Sequence, residues 1–243
     1  MSEFKMPTEV IDLPSKGLLY PEDSPLASGQ IEIKYMTAKE EDILTNQAYI
    51  KKGTVVDKLL QSLIVTKINY DDLLIGDKNA ILVACRILGY GKDYEFEYDG
   101  ERQSIDLSLV ENKPFDESLI TKGVNEFKYT LPHSQNEITF KVLTGADERK
   151  IERELEGLKK ISKENTPELT TRLKHIITSV NGSTESKDIR SFVDNAMLAR
   201  DSRALREYMR QIQPDVDMTF IPEGGDNPVT IPIGASFLYP DLD

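Results

Sequence analysis

Chemistry near neutral pH would have to begin with two imidazoles and one thiol, because His133, His175 and Cys85 are the only residues of their kinds in the chain. His133 follows Pro132 in a predicted hairpin turn, and His175 stands beside Lys174 on a predicted helix. Neither has the sequence-adjacent partner that a metal or nucleophile motif supplies. Cys85 ends the apolar run Ala80-Ile81-Leu82-Val83-Ala84-Cys85, where a thiol acts as a small inert hydrophobe. One cysteine also excludes an internal disulfide or a thiolate cluster for zinc or iron–sulfur. Gly89-Tyr90-Gly91 closes a predicted helix instead of opening one, so its amides face no phosphate, and Gly224-Gly225 lies in an acidic turn. Asp215-Val216-Asp217 has the start of a calcium-loop spacing and none of its continuation. With 42 acidic residues, chance carboxylate neighbours are certain, so a carboxylate-based hydrolase stays as a minor alternative that only a coupled pair in a pocket would raise. The residues point to a protein that is not an enzyme, with no catalytic residue, no metal and no cofactor.

The elements that would position such residues follow from periodicity. Residues 1–30 read as an extended N-terminal arm, because Pro7, Pro14, Gly17, Pro21, Pro25 and Gly29 forbid long regular structure. Residues 31–92 read as a strand plus a helical group. Ile31-Glu32-Ile33-Lys34-Tyr35 alternates as a half-buried strand, and Thr37 and Glu40 have capping-box spacing for a helix through about Tyr49 that ends near Gly53. A helix from Thr54 shows Leu59, Leu60, Leu63 and Ile64, and another from Asp77 to Gly89 is apolar nearly all round. Residues 93–144 read as antiparallel hairpins. Tyr94, Phe96 and Tyr98 alternate up to Asp99-Gly100, and Ile105, Leu107 and Leu109 alternate after it; 127–131 and 138–142 form a second pair. Residues 145–213 read as four helices. The second opens at Thr166-Pro167-Glu168 and carries the stripe Leu169, Leu173, Ile176, Ile177 and Val180 to Asn181-Gly182. Residues 214–243 read as a strand pair and tail. The fold class is therefore α+β, helix-dominated, with a small antiparallel sheet between two helical groups that share one core or form two.

The chain has 30 basic and 42 acidic residues, a net charge of −12, which argues against nucleic acid as a partner. The charge is uneven: residues 145–213 hold 14 basic and 12 acidic residues, whereas 214–243 hold none and 6. The middle stretch is either a solvated helical surface or a mildly basic module for an acidic partner. Binding of nucleic acid there would show as steep salt dependence. No stretch has the apolar length of a membrane span, and the first ten residues lack the pattern of a secretion signal, so a cytosolic protein is expected.

Several blocks resemble, in order, the baseplate hub family of T4-like bacteriophages with contractile tails. They are the arm Leu13-Pro14-Ser15-Lys16-Gly17-Leu18-Leu19-Tyr20-Pro21, Met36 to Thr45, Lys51 to Ser62, Gly76-Asp77-Lys78-Asn79-Ala80, the start at Asp201 to Arg206, and the ending Ile231 to Asp241. The match is weakest near 93–140. Many members carry a Cys-x-x-Cys pair in the central hairpin, suggestive of zinc; here Tyr94 to Arg102 contains no cysteine, so no metal carries over. The resemblance implies a non-enzymatic protein acting in assembly of the central hub by protein–protein binding, or a permanent minor subunit of the virion baseplate. It implies other hub or tail proteins as partners and the host cytoplasm or the virion baseplate as location, and leaves homo-oligomers open. Leu18, Leu19, Tyr20, Phe237, Leu238 and Tyr239 are the candidate partner-binding anchors, since leucine and aromatic side chains dominate interfaces. The alternative is that both ends fold back on the domain as clamps.

Overall fold

The computed structural model describes residues 6–161, 166–222 and 225–238. The turn-rich beginning contains a strand after all: β1 (Thr8–Asp12) pairs antiparallel with β2 (Gln30–Lys34), with Val10 opposite Glu32. α1 (Ala38–Leu44) starts at the expected cap, although Thr37 uses its amide (3.0 Å) and hydroxyl (2.6 Å) as donors to the Glu40 carboxylate. The single helix expected to Gly53 is two. Asn46 breaks the first and caps α2 (Gln47–Lys51), its side chain accepting from the Ala48 and Tyr49 amides. α3 (Val55–Leu63) buries Leu59, Leu60 and Leu63, while Ile64 leaves the helix to bridge to Ile33. α4 (Ile75–Tyr90) begins two residues before Asp77 and is the most apolar helix, burying Ile81, Leu82, Val83 and Cys85.

β3 (Asp93–Tyr98) and β4 (Glu101–Asp106) form the expected hairpin, with Asp99 and Gly100 both at positive φ as a two-residue turn requires. The alternation fails after Asp106. Residues 107–109 coil into a 3-10 turn that buries Leu107 and leaves Leu109 exposed. β5 (Phe127–Thr130) and β6 (Glu137–Phe140) pair as expected, but a third strand joins them.

α5 (Gly145–Ile161) buries Ile151, with Leu155 and Leu158 half-buried on the same face. α6 (Glu168–Ile176) starts one residue late and stops early, and Leu169 is exposed. Ile177–Val180 is β7, the strand beside β6. Four residues predicted as helix are therefore sheet, because Ile177, Thr178 and Val180 are β-branched and the open edge of β6 needs a partner. α7 (Ser186–Asn195) and α8 (Ala199–Ile212) follow as predicted. The closing strand pair shrinks to β8 (Thr219–Phe220) and β9 (Val229–Thr230), followed by an unforeseen short helix, α9 (Ala235–Leu238). The fold is α+β, with small antiparallel sheets among helices. Its buried apolar side chains run as one connected cluster from Leu13 to Leu238, so the two helical groups share a core.

Candidate functional site

The arm is closed into a loop by the Leu13 amide, which donates to the Gly29 carbonyl at 2.8 Å. Its tip turns at Lys16 and Gly17, both left-handed with φ of 51° and 76°. A Cβ on Gly17 would stand 2.5 Å from the Ala27 carbonyl oxygen, so this turn requires glycine. The turn aims Ser15 and Tyr20 at the first turn of α4. There Asp77, fully buried, accepts from the Ser15 amide (2.9 Å), the Ser15 hydroxyl (2.7 Å) and the Tyr20 hydroxyl (2.6 Å). The Tyr20 oxygen in turn accepts from the Leu74 amide (3.0 Å) at the helix start. No ion pair reaches Asp77 among the described residues; the helix N-terminus supplies the favourable field. Burial nevertheless raises the Asp77 carboxyl above its ordinary value, against the pull of those hydrogen bonds, and burial with the Asp77 charge raises Tyr20. The same turn presses on a distant segment: a Cβ on Gly76 would lie 1.9 Å from the Pro214 carbonyl oxygen. Asp215 beside it accepts from Asn79 (3.0 Å) and Lys113 (3.2 Å).

The other end reaches the same helix. α9 packs on α4, with Phe237 and Leu238 fully buried and the Phe237 ring 4.9 Å from that of Tyr94. Phe220 meets Phe96 edge-on at 4.7 Å, so the cysteine-free hairpin β3–β4 holds the closing segment through its aromatic face. Of the six candidate anchors, Leu19, Tyr20, Phe237 and Leu238 are interior residues, Leu18 is half-buried, and Tyr239 lies outside the described residues. Leu19, Tyr20, Phe237 and Leu238 are covered by the chain's own atoms, the arrangement of the clamp alternative, and a partner could touch them only after the segments detach.

A cleft of about 350 Å³ is lined by Asp57, Lys78, Glu148, Arg149, Glu152 and Arg172, together with Ile233 and Gly234 of the closing segment. Asp57 accepts from Lys78 (2.7 Å) and Tyr70 (2.8 Å), and Arg149 bridges it to Asp71. Burial works against the Asp57 charge, but Lys78 and Tyr70 outweigh it and hold the carboxyl below its ordinary value. Arg172 grips Glu148 with two bonds of 3.0 and 2.6 Å. Glu152 is raised, by enclosure and by the Glu148 charge. The cleft thus holds carboxylates displaced in opposite directions, yet Asp57 and Glu148 are committed to cations that join α3 and α4 to α5 and α6. It is an ion-paired seam.

Burial drives the Cys85 thiol up to about 12, which fits an inert core residue. His175 shares Glu154 (3.0 Å) with Arg190, whose two bonds are 2.7 Å each, while His133 sits in the β5–β6 connection with its amide on Asp201. Among the described residues no group of three or more His, Cys, Asp or Glu could hold a metal ion, and no helix is long and apolar enough to cross a membrane. Asp77 and Asp57 were not singled out as site residues from the sequence. The available signals were an acid in the first turn of an apolar helix and a serine among the turn formers of the arm.

No family model, no curated protein and no solved structure matches this chain.

Proposed function

We propose that this is a non-enzymatic protein of a contractile phage tail that acts by protein–protein binding in assembly of the baseplate central hub. What supports the reading is where the hub-like blocks meet. The arm block supplies Ser15 and Tyr20, the Gly76–Ala80 block supplies Asp77 and Lys78, the Lys51–Ser62 block supplies Asp57, and the ending supplies Ile233, Gly234 and Phe237. Four of the six blocks, up to about 220 residues apart in sequence, converge on α4, and this convergence supports reading them together. That convergence ties the arm and α9 to one helix.

A tagged chain recovered from late-infected cells, followed by mass spectrometry, tests the reading. Hub, spike or tape-measure proteins are the expected companions, to be re-formed as a complex from purified components. Recovery of only host enzymes or nucleic acid would overturn it. Presence of the chain in purified virions would then mark it as a permanent subunit, and absence as an assembly factor.

A further inference from the structure

The chain running from 214 to 221 loses a neighbour halfway. The Lys113 amide donates to the Asp215 carbonyl and the Asp217 amide to the Glu111 carbonyl, both at 2.8 Å, so 111–113 pairs with 215–217. Residues 107–109 then coil away, and among the described residues no main-chain hydrogen bond continues on the same side of the strand beyond Asp217. On its other side the Ile231 amide bonds the Met218 carbonyl and Phe220 is paired with Val229. By strand alternation the backbone groups of Thr219 and Ile221 face the open side. The Thr219 amide is held there by the Asp217 carboxylate at 3.1 Å. Beneath that edge lies a groove of about 290 Å³ floored by Ile105, Leu109, Val110, Met218 and Phe220. Leu109, at the groove, is 76% exposed. The rim is acidic. Asp217 and Glu111 are exposed and form no ion pair with any described residue, and residues 214–243 contain no lysine or arginine.

We infer that this groove docks an extended, Lys/Arg-bearing segment of a partner protein, which adds main-chain bonds along 219–221 and inserts alternate apolar side chains between Leu109 and Phe220. The acidic rim selects a basic segment over an acidic one and disfavours a second copy of this chain, whose own charge is −12. The inference rests on the protein-binding part of the function proposed above and not on the identity of the hub.

The test uses the purified full chain against a displayed library of random twelve-residue peptides, with affinities of selected peptides measured by fluorescence anisotropy. Enriched peptides should alternate apolar residues with at least one Lys or Arg. Binding should weaken at least tenfold in the Leu109→Asn variant and become less salt-sensitive in Asp217→Asn. Val10→Asn, on the distant exposed strand β1, should change nothing. Leu109 is exposed, so circular dichroism of its variant should match the parent. Equal binding by the groove variant, an acidic consensus, no enrichment, or a dimer abolished by the same variant would each overturn the inference. Should groove peptides bind while hub proteins do not, the hub reading fails alone. Should hub proteins bind the groove variant as tightly as the parent, the groove fails alone.

Discussion

The two ends of the chain are fastened to α4 by different physics. The arm is held by a polar knot, Ser15 and Tyr20 on the buried Asp77 carboxylate, whereas the closing segment is held by apolar packing of α9, with Phe237 and Leu238 buried and the Phe237 ring also against Tyr94 of β3. Hydrogen bonds in a buried knot are directional and fail together, because removing one partner leaves the others unsatisfied. Aromatic packing is graded and insensitive to pH. The N-terminal fastening should therefore behave as a latch with defined parts, and the C-terminal one as a plug.

The largest effect should come from deleting residues 1–22. This removes Leu13, Leu19 and Tyr20 from the core and β1 from its sheet. At about 2–3 kcal/mol for each buried side chain, the loss rivals the whole stability of an ordinary domain. Thermal scans should lose the cooperative transition; a sharp transition within a few degrees of the parent would show that the arm is not part of the core. Phe237→Ala should cost about 3–5 kcal/mol in urea unfolding. Asp77→Ala should cost about 3 kcal/mol, since it strands the Ser15 and Tyr20 hydroxyls, and Asp77→Asn should cost less because it keeps an acceptor. Equal losses for the two Asp77 variants would mean that the knot contributes only packing.

Tyr20→Phe should cost about 2 kcal/mol by releasing both Asp77 and the Leu74 amide. Cys85, buried in the same helix, gives a local readout: thiol labelling under native conditions should accelerate in Tyr20→Phe. The smallest effects are those of pH, and they run in opposite directions. Glu40 is held down to about 2: burial opposes its charge, but Thr37, Lys34 and Ser62 overcome it. Its depressed value stabilises the fold above the ordinary glutamate range, and that contribution is lost as pH falls from there towards about 2. Asp77 is raised, so its protonated form favours the fold, and that contribution is lost as pH rises through its folded value. Urea midpoints of Glu40→Gln should fall less steeply than the parent's below pH 4.5, the ordinary glutamate value, with the remaining slope carried by Glu154, Asp57 and Asp147. Those of Asp77→Asn should keep the parent's acid dependence.

Much of this organisation was legible. Thr37 and Glu40 marked a helix start, Asp99-Gly100 marked a hairpin, and the apolar run from Ala80 to Cys85 marked the most buried helix. Leu173, Ile176, Ile177 and Val180 fit a helical stripe as well as a helix followed by a strand, and the free edge of β6 decided between them. Leu109 continued an alternation that the backbone abandons after Asp106, which is why an apolar residue expected in a sheet stands exposed at the groove.

The sequence by itself determined the α+β class and most element positions, because local periodicity, caps and turns act over a few residues. Only the tertiary structure decided that Tyr20 and Phe237 face inward and that Asp77 is buried without a cation. It also decided that distant blocks meet on α4. These depend on contacts between residues 57 to about 160 positions apart, and no local pattern encodes which of many apolar segments a given helix will bury.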